Sequence, residues 1–185
     1  MSEYILITDS SCDLTDAMAR ELELEIIPLS VTISDDTYQN FLDEREIPFK
    51  DFYARLRAGE MAKTSAVNTE TFLDVFAPHL EAGRDVLYLA FSSGLSVTCE
   101  CALVAAQSLA ERFPERKVRV VDTLCASMGQ GLIAYLAARK RREKSITHYP
   151  QSCANGVIAQ WNLCVGTTKS RTKTKVTCAT DSRKL

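Results

Sequence analysis

The sequence lacks any long apolar run. No stretch approaches the roughly 20 apolar residues that a helix needs to cross a bilayer, and residues 1–4 have neither the basic residues nor the apolar segment of a secretory signal. We therefore expect a cytoplasmic protein with no stable membrane insertion. A net charge of −2 over 185 residues gives no overall sign of a nucleic-acid partner.

Histidine is scarce as well. The two histidines, His79 and His148, have no carboxylate at a spacing typical of a catalytic triad, and the G-x-S-x-G pattern of many serine hydrolases is absent. The seven cysteines are scattered, and the C-x-C pair of Cys99 and Cys101 falls short of the usual four zinc ligands. We expect buried thiols in a reducing compartment, no metal, no cofactor and no catalytic residue.

Short apolar runs alternate with helical patterns over the first 144 residues. Such alternation predicts right-handed crossovers and an α/β fold with a mostly parallel sheet flanked by helices. The predicted main strands are Tyr4–Ile7, Ile26–Ile33, Val86–Phe91 and Val118–Val121.

Three local signals bound the predicted helices. Pro48 opens one helix, and Gly59 closes it as a C′ glycine. Lys63–Asn68 is expected to be a polar loop that leads to a helix capped by Thr69. A further helix is expected to start directly after Gly94.

Hydroxyl-rich segments follow these strands or face their carboxyl ends, where ligands bind in parallel α/β sheets. A strand that ends in Ser92-Ser93-Gly94 and is followed directly by a helix predicts an anion-binding site. The first backbone amides of a helix have no partner within it and can donate to an anion. Gly94 would let a ligand approach the backbone. The other hydroxyl-rich segments are Thr8–Ser11, the Thr64-Ser65 loop and Thr123–Ser127.

The charge and composition of the chain change near residue 145. Residues 145–185 hold six of the 22 Lys and Arg residues and one of the 24 acids, so this tail carries +5 and the rest of the chain −7. Basic, threonine-rich sequence without a lasting period favours disorder. We divide the chain into an α/β domain, residues 1–144, and an anomalous basic tail, residues 145–185.

Several ordered motifs in the first 144 residues resemble the DegV family of bacterial fatty-acid-binding proteins. The matching segments are Thr8–Ser11, Ile27–Val31, Lys63–Ser65, Phe91–Ser96, Val121–Thr123 and Ala126–Gly131.

The resemblance implies a protein that holds one long-chain fatty acid between two domains and presents it to a separate fatty acid kinase. By the same likeness, Thr64, Ser65, Ser92, Ser93 and Gly94 would bind the carboxylate. Further candidates for this contact are Ser10, Ser11 and Ser96. The second domain of the family has no counterpart in residues 145–185, which resemble a truncated or frame-shifted replacement.

Two alternatives stay open. Asp9 and Asp122 lie at strand ends and are compatible with a small-molecule phosphotransfer domain similar to dihydroxyacetone kinase, although each aspartate could simply cap its loop. The chain could also be a truncated fragment without function. Each buried CH₂ group contributes roughly 0.8 kcal/mol, so an acyl slot of half the size would give about half of the total burial energy.

Overall fold

The fold is taken from a computed structural model that describes residues 4–142 and 176–178. The strands, in chain order, are β1 (Tyr4–Asp9), β2 (Leu24–Ile27), β3 (Ser30–Ile33), β4 (Asp36–Gln39), β5 (Ala62–Ser65), β6 (Asp85–Ala90), β7 (Val118–Asp122) and β8 (Val176–Cys178). The α-helices are α1 (Asp16–Glu21), α2 (Phe49–Arg57), α3 (Thr69–Glu81), α4 (Thr98–Arg112) and α5 (Met128–Arg142), and Ser10–Cys12 form a 3-10 turn.

The larger sheet has the strand order β2-β1-β6-β7-β8. Its first four strands are mutually parallel, and β8 pairs antiparallel with the free edge of β7. Helices connect the parallel strands, as crossover connections between parallel neighbours require. The α/β prediction with a mostly parallel, helix-flanked sheet is confirmed.

Each face of this sheet is covered by two helices. Because successive side chains of a strand point to opposite faces, Leu6 and Leu87 pack with Ile133 of α5, whereas Ile7 and Tyr88 belong to the opposite cluster. The α1–α5 face is completed by small residues of α5, and the α3–α4 face by the rings of Phe72 and Phe76.

A second sheet of three antiparallel strands, β4-β3-β5, corrects two sequence predictions. The predicted strand Ile26–Ile33 is divided at Pro28, and its halves belong to different sheets, because proline has no amide hydrogen for a strand ladder. Residues 62–65 form an edge strand paired with β3 where the sequence predicted a polar loop.

The helix boundaries follow local capping rules. Thr15 caps α1 through its hydroxyl, which accepts from Met18 N. Asn68, and not Thr69, caps α3 through its side-chain oxygen, and Gly59 lies just beyond α2 with φ +94°, where glycine avoids a steric cost.

The predicted disordered tail, residues 145–185, lies outside the described residues except for β8. Among the helices that the structure describes, none has the length and apolar content needed to cross a bilayer.

Candidate ligand-binding site

The carboxyl ends of the central strands meet at one edge of the large sheet. Thr8 is in register with Leu89, and Ala90 with Asp122, so the loops after β1, β6 and β7 lie side by side. Two backbone hydrogen bonds join the last two loops, from Ser92 N to the Cys125 carbonyl (3.0 Å) and from Thr123 N to the Ala90 carbonyl (3.2 Å). The predicted convergence of hydroxyl-rich loops is present in the structure.

The loop after β6 is a compact turn, Ser92–Ser96, which we call the serine turn. The sequence predicts free amides at this turn, but the structure shows that they are hydrogen-bonded. The carbonyl oxygen of Ser92 accepts from Leu95 N (3.0 Å) and Ser96 N (3.2 Å), and its hydroxyl accepts from Gly94 N (3.2 Å). Helix α4 therefore starts at Thr98, because the preceding residues satisfy their amides within the turn.

Asp122 at the end of β7 holds the serine turn. Its Oδ2 accepts from the Ser93 hydroxyl at 2.5 Å, and its Oδ1 accepts from Ser93 N (3.2 Å) and Leu124 N (3.0 Å). Asp122 thus caps its own loop and also binds the neighbouring one. Ser93 is nevertheless an exposed residue.

Asp9 at the end of β1 is a buried carboxylate that is satisfied by neutral donors. Its Oδ2 accepts from the Tyr88 hydroxyl (2.6 Å), the Gln130 side-chain amide (3.1 Å) and Phe91 N (3.4 Å). Its Oδ1 accepts from Ser11 N (3.1 Å) and from the Ser11 hydroxyl. Buried charge is tolerated when such hydrogen bonds replace water.

The structure gives Ser10 and Ser11 supporting contacts inside the protein. The buried Ser10 hydroxyl accepts from Leu29 N (3.0 Å) and from the Asn40 side chain (3.2 Å). The Ser11 hydroxyl contacts Asp9 and Gln130. Both hydroxyls are therefore engaged within the protein.

Thr64 and Ser65 lie on the exposed edge strand β5. Ser65 is in register with Ser30 of β3, which follows the Leu29 amide held by Ser10. This connection brings the start of β3 to the end of β1. Within residues 4–142, no hydrogen bond joins Thr64 or Ser65 to the serine turn, and the two predicted groups belong to different sheets.

Gly94 and Ser96 complete the predicted set. A Cβ built on Gly94 would meet only the Ser92 hydroxyl, at 3.5 Å, so the outer side of this residue is open. Ser96 contacts the Thr98 hydroxyl (2.9 Å) and accepts from Thr98 N (3.2 Å), and it therefore serves as a cap in front of α4.

Exposed apolar side chains surround the serine turn. Leu95 is 69% exposed and Leu124 is 46% exposed. They lie in two loops that are joined by the hydrogen bonds of Asp122. Met128, at the start of α5, is also exposed. Leu124 has φ +54°, a conformation that costs a leucine about 1 kcal/mol. An exposed leucine held in this conformation is typical of a functional contact.

A separate cavity of about 310 Å³ lies between α1, β2 and the loop after β4. Its two arginines, Arg20 and Arg45, both bind Asp43, so their charge is already offset. Within residues 4–142 and 176–178, no three His, Cys, Asp or Glu residues gather as possible metal ligands.

Two residues of this edge were not among the predicted site residues. Asp122 was noted only as a strand-end aspartate, and its position 29 residues after Ser93 gave no sign that the two side chains pair. Gln130 is fully buried and donates to Asp9 and Thr8, although a glutamine near a helix start is an unremarkable sequence signal.

Comparison with known proteins places this architecture in one family. The sequence profile described as "Uncharacterised protein, DegV family" matches residues 4–147. A DegV domain-containing protein of Clostridium perfringens is 38% identical over 147 residues, which cover 79% of this chain and 50% of the relative. The chain spans about half the length of the curated relatives it matches.

Solved structures agree. A DegV family protein from Thermus thermophilus, described by its fatty acid binding, superposes with a TM-score of 0.71 at 29% identity, covering 86% of this chain and 54% of its own. A Thermotoga maritima protein, described as revealing a fatty acid binding function, gives a TM-score of 0.71 at 25% identity, with 86% and 55% covered.

Proposed function

The chain belongs to the DegV family, and on this premise we propose that it binds a long-chain fatty acid at the carboxyl edge of the large sheet. The single observation that carries the proposal is the match over residues 4–147 to a family whose solved members are described as fatty-acid-binding proteins. The proposed role is binding, with no chemical step carried out by this chain.

The polar half of the proposed site consists of the serine turn and β5. Ser93 and Gly94 present an exposed hydroxyl and an open backbone face, and Thr64 and Ser65 add exposed hydroxyls from the edge strand. Ser92 supports the turn from within, because its hydroxyl and carbonyl oxygens accept the amides of Gly94 and Leu95. These neutral groups suit a carboxylate that has to stay accessible to an activating enzyme.

The apolar half consists of Leu95, Leu124 and Met128. Each CH₂ group of an acyl chain that leaves water for such a surface contributes about 0.8 kcal/mol. Leu124 N donates to Asp122, which also accepts from Ser93, and this supports an apolar surface that begins beside the proposed head-group site. An acyl chain can therefore leave the serine turn directly onto apolar side chains.

A first experiment measures lipid in the purified full chain. We expect mass spectrometry to find co-purified C14–C18 acids. Ser93→Ala should reduce their affinity by about 5- to 150-fold, because the Ser93 hydroxyl, once it turns its proton from Asp122 to the ligand, donates a directed hydrogen bond to a charged group, which contributes about 1–3 kcal/mol. Ser108→Ala, an exposed serine about 15 Å along α4, is the matched control. Equal lipid retention by Ser93→Ala and the control would contradict the site.

A second experiment separates the apolar contact from stability. Asparagine accepts positive φ more readily than leucine, so Leu124→Asn should keep or slightly raise the thermal midpoint while it weakens fatty-acid binding. A variant that binds as well as the parent protein would remove Leu124 from the site.

The finer part of the proposal is a fatty acid kinase as partner. A carboxylate bound at the exposed serine turn would be accessible to a second protein, and this supports delivery of the acid to an activating enzyme. The test is a pull-down of purified kinase with the acid-loaded chain, followed by measurement of acyl-phosphate formation. Acyl-phosphate formation that is no faster with the chain than with free acid would exclude this partner.

A further inference from the structure

Helix α5 has an uncharged outer side. Residues 128–138 contain no Asp, Glu, Lys or Arg. The inner side of the helix packs on the large sheet through Ile133 and small residues. On the outer side, Leu132 is 38% exposed, and Tyr135 and Leu136 are half-buried. We call these last three residues, which share one side of the helix at spacings of three and four, the outer face of α5.

The helices on the opposite face of the sheet differ in this respect. Exposed positions of α3 carry Glu70 and Asp74, and exposed positions of α4 carry Glu100 and Glu111. A helix at a protein surface normally has charged or polar side chains on its outer side, whereas a helix that is apolar on all sides is a buried helix. The outer face of α5 is therefore suited to contact with another apolar element.

The chain returns along α5 after the helix ends. Arg141 donates to two carbonyl oxygens that directly precede β2 (2.8 and 3.0 Å), so the C-terminal end of α5 lies at the amino edge of the large sheet. Strand β8 starts at Val176, opposite Val121 and close to the carboxyl edge. Residues 143–175 connect these two edges. The 15 residues of α5 span about 22 Å, and the connection is long enough to lie along the helix with chain to spare.

One stretch of this connection, residues 157–165, has the composition that the outer face of α5 requires. It contains no charged side chain and includes Val157, Ile158, Trp161 and Leu163. The rest of the connection is mostly polar or basic and offers no comparable apolar surface. A flexible tether raises the effective concentration of such a stretch to about the millimolar range, which favours it over a second copy of the chain.

We propose that residues 157–165 of the chain's own tail pack on the outer face of α5, with Trp161 in the contact. The stretch shields an apolar helix face from water, and such shielding favours a single domain over self-association. The contact needs no lipid and goes beyond the proposed function. The disorder predicted for the basic, threonine-rich residues that follow is unaffected.

Trp161 is the one tryptophan of the chain, so its fluorescence reports this contact directly. In the delipidated full chain, we expect emission at a shorter wavelength than in the same chain unfolded in urea, and weaker quenching by acrylamide. Leu132→Asp places a charge in the apolar contact and should shift the emission most of the way to that of the unfolded chain. Val104→Asp is the matched control. It changes an exposed apolar position of α4, on the opposite face of the sheet, and should leave the emission unchanged.

Circular dichroism checks that the variants keep the fold, and Leu132→Gln, which adds no charge, serves as the second variant if Leu132→Asp does not fold. Parent emission equal to that of the unfolded chain would overturn the proposal. A Trp161 that stays buried in the folded Leu132 variants would exclude the outer face of α5 as its contact. A shift to longer wavelength when the parent chain is diluted would identify a second copy, and not the chain's own stretch, as the partner of this face.

Discussion

The Cα of Gly131 lies against the carbonyl oxygen of Cys12, so closely that a Cβ on this glycine would stand 2.3 Å from that oxygen. The contact joins the start of α5 to the 3-10 turn after β1. The atom that a Cβ would meet belongs to the backbone, so no flexible side chain could move aside to make room. Glycine is therefore required at position 131.

Gly131→Ala should destabilise the protein by about 1–3 kcal/mol, because the added methyl group must displace backbone. Gly94→Ala is the matched control, since its Cβ would meet no atom closer than 3.5 Å and its unfolding free energy should stay within about 0.5 kcal/mol of the parent. Urea denaturation measures both. Equal stability of the two variants would contradict the packing described for α5.

Tyr88→Phe should cost about 1–3 kcal/mol of stability, because it removes the hydroxyl that donates to the buried carboxylate of Asp9 and leaves part of that charge unsatisfied. Tyr53→Phe, on the exposed surface of α2, should change little. Thermal denaturation near neutral pH compares the two variants, and a stable Tyr88→Phe protein would show that Asp9 does not depend on this donor.

Acid should weaken the attachment of α2 to the small sheet. The guanidinium of Arg55 and the hydroxyl of Ser34 lower the pKa of Glu60 below its usual value of 4.5. A carboxylate with a lowered pKa in the folded state adds stability above the unfolded value, and this stability is lost as pH falls through the folded value. Glu60→Gln should therefore be less stable than the parent chain at pH 7 and equal to it near pH 3.

Denaturant unfolding at several pH values measures this difference. Glu111→Gln, an exposed glutamate of α4, is the control and should follow the parent at every pH. A gap between Glu60→Gln and the parent that persists at low pH would exclude the charge of Glu60 as its cause.

The buried thiols should resist alkylation. Burial raises the pKa of Cys12 to about 11 and that of Cys99 to about 12, so almost no thiolate is present at pH 8. Cys101 is partly exposed and should react with iodoacetamide faster than either of them, as mapped by peptide mass spectrometry. Alkylation of Cys12 at the rate of Cys101 would contradict the burial described for the 3-10 turn.

The larger sheet could be predicted because its strands are short, mostly apolar runs that are followed by small polar residues. Val86–Ala90 shows both features, and β1 repeats them. The small sheet could not be predicted in the same way. Residues 62–65 are polar and short, and their strand conformation depends on pairing with β3, about 30 residues earlier in the chain.

The sequence predicts that hydroxyl-rich loops converge at one edge of the sheet, as they do, and that the amides after Ser92 are free, which they are not. The strand-to-helix pattern around Ser92 correctly indicated a turn, yet the sequence could not show that Ser92 itself would accept the amides of Leu95 and Ser96. The contact of Ser93 with Asp122 depends on the register of β6 and β7, which local sequence patterns do not specify.

The hydroxyl of Ser10 receives one donor from the backbone of Leu29 and another from the side chain of Asn40, on either side of the β3–β4 hairpin. A single oxygen atom at the end of β1 thereby links the large sheet to both ends of that hairpin. Because β5 pairs with β3, the strand that carries Thr64 and Ser65 is anchored to the large sheet through a residue outside both predicted groups.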